Sequence, residues 1–220
     1  MRSISIFMFG NEPDSYRYAR ENIPCVFAKC KCPAQLKKKY SFVYVSEDRN
    51  LIYYNVPKCA STTIRHELFG QRTTASLLTP KRSTDQYLKF AFVRNPWDRM
   101  VSNWKMFTQR PKRLNQINLM VPKGEMSFES FINFSIEQAN HHWQPQSLFI
   151  PENIDFLGKI ESFDEDFNRL LALIGREPRT LRKKNTTKGD DYWTYYSPEL
   201  VRLVGELYKE DIERFGYDFK

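Results

Sequence analysis

From Phe42 onward the chain alternates short β-branched and aromatic runs with polar stretches and with segments whose apolar residues recur at helical spacing. Phe42 to Val45 and Leu51 to Val56 are two such runs, and Glu47-Asp-Arg-Asn50 between them predicts a turn joining two strands. A short helix is expected from Ser61 to Leu68, directly after the second strand. Leu88-Lys-Phe-Ala-Phe-Val93 predicts another strand. It runs into Asn95-Pro96, a helix cap followed by a first-position proline, after which Trp97, Val101, Trp104 and Thr108 keep helical spacing. Strand, loop and helix thus occur twice, the pattern of an α/β domain with a mainly parallel sheet, whose ligands lie beyond the carboxyl ends of its strands. Phe128 to Ile136 predicts an amphipathic helix, Ile154 to Gly158 an inner strand, and Phe163 to Ile174 a helix stopped by Gly175 and Pro178. Ser197-Pro198 repeats the cap-plus-proline pattern and opens a last helix with Leu200, Leu203, Val204, Leu207 and Tyr208 on one stripe. Residues 1–40 show no sustained period and are expected to form an extension ahead of a domain over 41–220.

Composition narrows the class without choosing the fold. At 220 residues with 41 % hydrophobic and 15 % aromatic content, the chain can fill a substantial core, which excludes disorder as a global description. Its net charge of +8 favours anionic partners: nucleic acid, membrane, glycan or nucleotide. No stretch approaches the roughly 18 to 20 apolar residues that a spanning helix needs, and the first residues lack a signal-peptide pattern. A soluble, cytoplasmic protein is the expectation. Cys25, Cys30, Cys32 and Cys59 make a poor disulfide framework, so reduced thiols are expected. The first three could hold zinc with a distant fourth ligand, but Cys-x-Cys is not the usual knuckle, and no metal is assigned.

The chemistry starts at Tyr54-Asn-Val-Pro-Lys-Cys-Ala-Ser-Thr-Thr-Ile64. A strand ends, Pro57 fixes the exit, Lys58 places a charge at the mouth, and Ser61, Thr62 and Thr63 coincide with a helix start. Exposed amides, the positive helix end, a lysine and hydroxyls make an anion cradle suited to phosphate. The competing reading is an ordinary strand-to-helix cap with a solvated lysine. A nucleoside-triphosphate P-loop needs two glycines and a lysine directly before the hydroxyl, and neither condition is met. Phe92-Val-Arg94-Asn-Pro-Trp-Asp-Arg99-Met-Val-Ser102 also ends a strand and opens a helix. Arg94 stands at the loop, where its fork can grip phosphate oxygens, with Ser102 about two turns along as a further donor. Asp98 and Arg99 read as a structural pair, and the two tryptophans as core.

Together the two elements resemble the 3′-phosphoadenosine-5′-phosphosulfate (PAPS) dependent sulfotransferases, particularly the carbohydrate sulfotransferase group called sulfotransferase family 2. The likeness continues through Asn140-His-His-Trp-Gln-Pro-Gln146, Phe156 to Glu161, Tyr195 to Glu199 and Leu207 to Tyr217, covering roughly residues 50 to 219. It implies a three-layer αβα fold with a central mainly parallel sheet and a P-loop-like phosphosulfate-binding strand–loop–helix. By the resemblance, Lys58, Cys59, Ala60, Ser61, Thr62 and Thr63 bind the 5′-phosphosulfate and Arg94 and Ser102 the 3′-phosphate. Adenosine 3′,5′-bisphosphate would be the product. Eukaryotic Golgi members carry a membrane anchor, so this chain is expected to be a short, unanchored member.

Sulfuryl transfer to a hydroxyl or amine needs positive charge at the departing oxygen and a base for the acceptor proton. Lys58 suits the first role. His142 is the candidate base because it matches the family's His-Trp segment; the competing reading makes it a structural partner of Trp143. His141, His66 and Glu161 are weaker candidates. The basic stretch from Arg176 to Lys188 reads as a solvated loop or as a cover over nucleotide or acceptor. Tyr192, Trp193, Tyr195 and Tyr196 read as core or as a face for adenine or sugar. The expected partner is a glycan or small-molecule acceptor, with no obligate nucleic acid; the alternatives are a basic nucleic-acid-binding module or a nucleotide phosphotransferase.

Overall fold

A computed structural model describes residues 42–46, 48–70, 84–108, 126–137, 141–180 and 191–220. The expected N-terminal extension, the Cys25, Cys30 and Cys32 group and the later part of the basic loop lie outside these residues. Strands β1 (Phe42–Ser46) and β2 (Leu51–Asn55) pair antiparallel as the turn residues require, with Asn50 in the left-handed region at φ 50°. Strand β3 (Leu88–Val93) lies parallel to β2, and β4 (Phe156–Lys159) lies parallel to β3, giving the order β1-β2-β3-β4. The strand expected from Ile154 begins two residues later. Asp155 instead closes its start, exchanging hydrogen bonds with Lys89 through its amide and its carboxylate.

Six α-helices accompany the sheet among the described residues: α1 (Ser61–Phe69), α2 (Pro96–Thr108), α3 (Phe128–Glu137), α4 (Phe163–Leu173), α5 (Pro198–Leu207) and α6 (Lys209–Phe215). β3 is buried along nearly its whole length, as a strand covered on both faces must be. One core joins the sheet to α1 and α4: Tyr53 stacks on Phe90 at 5.0 Å, with Ile64, Leu68, Phe167, Leu170 and Leu171 around them. A second core gathers Trp97, Met100 and Phe107 of α2 with Phe131 of α3, Trp143 and Val204. The architecture is therefore mixed α/β with a central, mostly parallel four-stranded sheet.

Local signals set the helix starts. Asn95 Oδ1 accepts from the Trp97 amide at 3.0 Å, and Ser197 Oγ accepts from the Leu200 amide at 3.3 Å, each ahead of a proline. The last stripe does not continue as one helix. It breaks at Tyr208, whose φ of −116° and ψ of 26° turn the chain, and whose hydroxyl donates to the Trp143 carbonyl at 2.6 Å.

Candidate anion-binding site at the carboxyl ends of β2 and β3

After β2 the chain makes an unusual turn: Lys58 (φ 73°) and Ala60 (φ 52°) both occupy the left-handed region without being glycine. Each costs on the order of 1–2 kcal/mol, which the surrounding structure offsets. The turn is closed by the Cys59 amide donating to the Val56 carbonyl at 3.3 Å, and the Ala60 carbonyl accepts from Thr63 and Ile64 at 2.9 and 3.1 Å. Among the described residues no acceptor takes the amides of Ala60, Ser61 and Thr62. Those donors sit at the positive end of α1 beside the Ser61, Thr62 and Thr63 hydroxyls.

The other members of the predicted set divide by what they touch. Cys59 turns its thiol into the core, where it reaches Gln146 Oε1 at 3.3 Å and burial pushes its pKa up to about 12. Lys58 is half-buried and its Nζ lies 3.4 Å from Met106 Sδ on α2. Arg94, at the end of β3, brings its Nη1 to 3.5 Å from the Lys58 carbonyl, so the two loops are adjacent. Its Nε and Nη2 hold the Asp98 carboxylate at 2.6 and 2.9 Å. That replaces the expected Asp98–Arg99 pair: Arg94, in the loop between β3 and α2, meets Asp98 in the first turn of α2, while Arg99 turns inward to other partners. Ser102 lies buried in the middle of α2.

Arg99 is the residue that the sequence reading underrated. Only 1 % exposed, it donates from Nε to the Pro57 carbonyl at 3.1 Å, from Nη1 to Gln144 at 2.8 Å and from Nη2 to His142 at 2.9 Å. It thereby binds the exit of β2 to the segment 141–149. Gln146, fully buried in that segment, brackets the Arg94 backbone: its Oε1 accepts from the Arg94 amide at 2.9 Å and its Nε2 donates to the Arg94 carbonyl at 2.8 Å. Asp211 of α6 in turn accepts from the Gln146 and Ser147 amides at 2.7 and 2.8 Å. Burial raises the pKa of its carboxyl, and the Arg99 charge opposes the rise. Each of the three has polar or charged neighbours along the chain, so no local contrast singles it out.

The histidines separate. His66 is exposed on α1, with Nδ1 3.2 Å from Glu67 Oε1. His141 is buried, and its ring lies 4.0 Å from that of His142. His142 is half-buried and meets Phe107 edge-on at 5.0 Å, while its carbonyl takes donors from Arg99 and Asn103. Glu161 spends both oxygens on structure, accepting from the Asn95 amide at 2.6 Å and the Tyr217 hydroxyl at 3.1 Å. Burial and the Glu161 charge push the Tyr217 hydroxyl far above the ordinary phenol range.

At the edges, Arg179 pairs with Glu67 of α1 at 2.9 Å, and Arg176 Nη1 reaches the Glu67 carbonyl at 3.4 Å. Tyr195 and Tyr196 pack on Phe128, and the Tyr196 hydroxyl donates to the Trp97 carbonyl at 2.9 Å, so both serve the second core. Tyr192 and Phe219 form an edge-on pair at 5.8 Å. Trp97 is buried and its indole donates to the Val201 carbonyl at 3.0 Å; the Trp104 indole donates to Met126 at 2.8 Å.

Fold and site together define an α/β protein that presents amide donors and two cationic side chains at the carboxyl ends of adjacent parallel strands. The sulfotransferase family matches residues 42–218, and the chain belongs to that family. It is 29 % identical over 232 residues to carbohydrate sulfotransferase 11 of Rattus norvegicus, covering 79 % of this chain and 66 % of that protein. The Danio rerio carbohydrate sulfotransferase 11 is 27 % identical over 245 residues, covering 84 % of this chain and 68 % of its own length. Carbohydrate sulfotransferase 12 of Mus musculus is 27 % identical over 169 residues, covering 60 % and 40 %. The chain thus spans just under two thirds of the rat relative. No solved structure matches it. No helix among the described residues is long and apolar enough to cross a membrane.

Proposed function

We propose that a domain over residues 41–220 transfers the sulfuryl group of PAPS to an acceptor hydroxyl or amine, with a carbohydrate hydroxyl as the leading acceptor. The observation that carries this reading is the pairing of the Ala60, Ser61 and Thr62 amides, which no acceptor takes among the described residues, with Arg94 on the adjacent strand end, in a chain of the sulfotransferase family. Support for carbohydrate comes from relatives that are carbohydrate sulfotransferases.

In this reading the strand–loop–helix from Lys58 to Thr63 acts as a P-loop-like cradle for the 5′-phosphosulfate. Ala60, Ser61 and Thr62 donate their amides, and Ser61, Thr62 and Thr63 their hydroxyls. Cys59 contributes by closing the turn, since its amide and thiol are already engaged. Arg94 and Ser102 hold the 3′-phosphate, the Arg94 fork leaving the Asp98 carboxylate to do so. The acceptor oxygen bonds to sulfur while the bond from sulfur to the bridging oxygen breaks, and the released electron pair stays on that oxygen. Lys58 and the cradle amides offset the charge that gathers there, and the acceptor proton passes to His142. An imidazole suits that transfer near neutral pH.

The test is calorimetric titration with adenosine 3′,5′-bisphosphate, using adenosine 5′-phosphate and ATP as controls. The bisphosphate is expected to bind in preference to both, and Arg94→Ala to remove that preference. Lys58→Ala is expected to lower transfer from PAPS by about 10²–10³-fold, the usual loss of one charge-stabilising donor. His142→Ala should suppress turnover with bisphosphate affinity intact. A folded protein that binds no bisphosphate would sink the reading.

A further inference from the structure

The two loops of the site do not touch through their own side chains alone; a third segment joins them. Gln146 is fully buried, and its amide uses both of its functional ends on one residue, accepting from the Arg94 N–H at 2.9 Å and donating to the Arg94 carbonyl at 2.8 Å. The same Oε1 takes the Cys59 thiol at 3.3 Å, so one side chain grips the β3 exit and the β2 exit together. Its own amide is held by Asp211 at 2.7 Å, which fixes where the side chain starts. A primary amide is the side chain that can do this. It offers a donor and an acceptor side by side, matching the N–H and C=O of one extended residue, and it carries no charge that burial would penalise.

We propose that Gln146 is a positioning residue that sets the spacing between the two anion sites, and with it the preference for a nucleotide phosphorylated at both the 5′ and the 3′ position. The inference rests on the PAPS reading above. Arg94 reads one phosphate and the Cys59–Thr63 turn holds the other, so the distance between the two backbones is the ruler against which a bisphosphate is measured. A nucleotide with only a 5′-phosphate engages one loop and is indifferent to that distance. Loss of the Gln146 clamp frees the β3 exit relative to the cradle, which penalises the bisphosphate selectively.

Two substitutions test this. Gln146→Met keeps the volume and removes both hydrogen-bonding ends; Gln146→Glu keeps an acceptor for the Arg94 amide and for Cys59 but sets a second oxygen against the Arg94 carbonyl. Calorimetry on the full chain compares adenosine 3′,5′-bisphosphate with adenosine 5′-phosphate, and a thermal melt reports folding. The expected result is a loss of about tenfold in the bisphosphate preference, the order set by one misplaced hydrogen-bonded group, with 5′-phosphate affinity changed less than about twofold. In an Arg94→Ala background the Met substitution should produce no further loss of preference. Equal weakening of both nucleotides, an unchanged preference, or collapse of the fold in both variants would make Gln146 merely structural and overturn the proposal. A wild-type protein that binds the bisphosphate no better than the 5′-phosphate would overturn the PAPS reading itself, and this inference with it.

Discussion

Replacing Arg99 with methionine tests the physical argument most directly, because it keeps most of the side-chain volume and deletes three donors at once. The guanidinium serves the carbonyls of Pro57, His142 and Gln144 at 2.8 to 3.1 Å while only 1 % exposed. A hydrogen bond from a charged donor contributes about 1.5–3 kcal/mol net, so three give about 4.5–9 kcal/mol. Two corrections reduce this. The His142 carbonyl keeps the Asn103 amide at 2.9 Å, and the variant no longer buries a cation, which recovers several kcal/mol. Against that, buried Asp211 loses the charge that opposes its desolvation. The net expectation is a loss of about 3–5 kcal/mol, the range for breaking a buried charged contact. With a urea slope of about 2 kcal/mol/M, the unfolding midpoint should fall by about 1.5–2.5 M. Arg99→Lys should land in between, since one ammonium cannot span carbonyls on separate segments. Arg202→Ala, which removes an exposed 3.6 Å pair with Glu199, is the control and should shift stability by less than about 1 kcal/mol. An Arg99→Met protein within about 1 kcal/mol of wild type would refute the claim that this side chain ties the loops together.

Three more outcomes are expected. Gly158→Ala would drive a Cβ into the Phe92 ring on the paired strand, so urea melts should show a loss of about 1–3 kcal/mol; a neutral variant would mean that the ring moves aside freely. The Cys59 thiol, held near pKa 12 against an ordinary 9.0, should resist iodoacetamide at pH 8 in the folded protein and react once unfolded in urea, as read by peptide mass spectrometry. Labelling at the unfolded rate would contradict its burial. Asp211 has a folded pKa above its ordinary 3.8, so the stability tied to its protonated form is present below that value and is lost as pH rises through the raised one. The stability advantage of wild type over Asp211→Asn should therefore shrink as pH climbs from about 4, and an advantage that grew with pH would reverse the assignment.

Much of the fold was legible because its signals act over a few residues. The Asn95-Pro96 and Ser197-Pro198 caps bond to amides two or three positions on, and the strand runs carry their burial in their composition. The Asp98 partner was not legible from helix spacing, because Arg94 lies in the loop before α2 and only the path of that loop brings it to Asp98. Glu161 was harder: a carboxylate at a strand end looks the same whether it waits for a proton or, as here, holds the Asn95 amide and the Tyr217 hydroxyl from opposite directions.

The order of strand, loop and helix, the family, and the residue types at the strand ends were determined by the sequence alone, because periodicity, caps and motif spacing are properties of neighbours along the chain. Tertiary structure decided what Arg99, Gln146 and Asp211 do. Arg99 meets Pro57 from 42 positions away, and Gln146 meets Arg94 and Asp211 from 52 and 65. A buried polar group is satisfied by whatever the fold brings beside it, and no local pattern records which carbonyl or carboxylate that is.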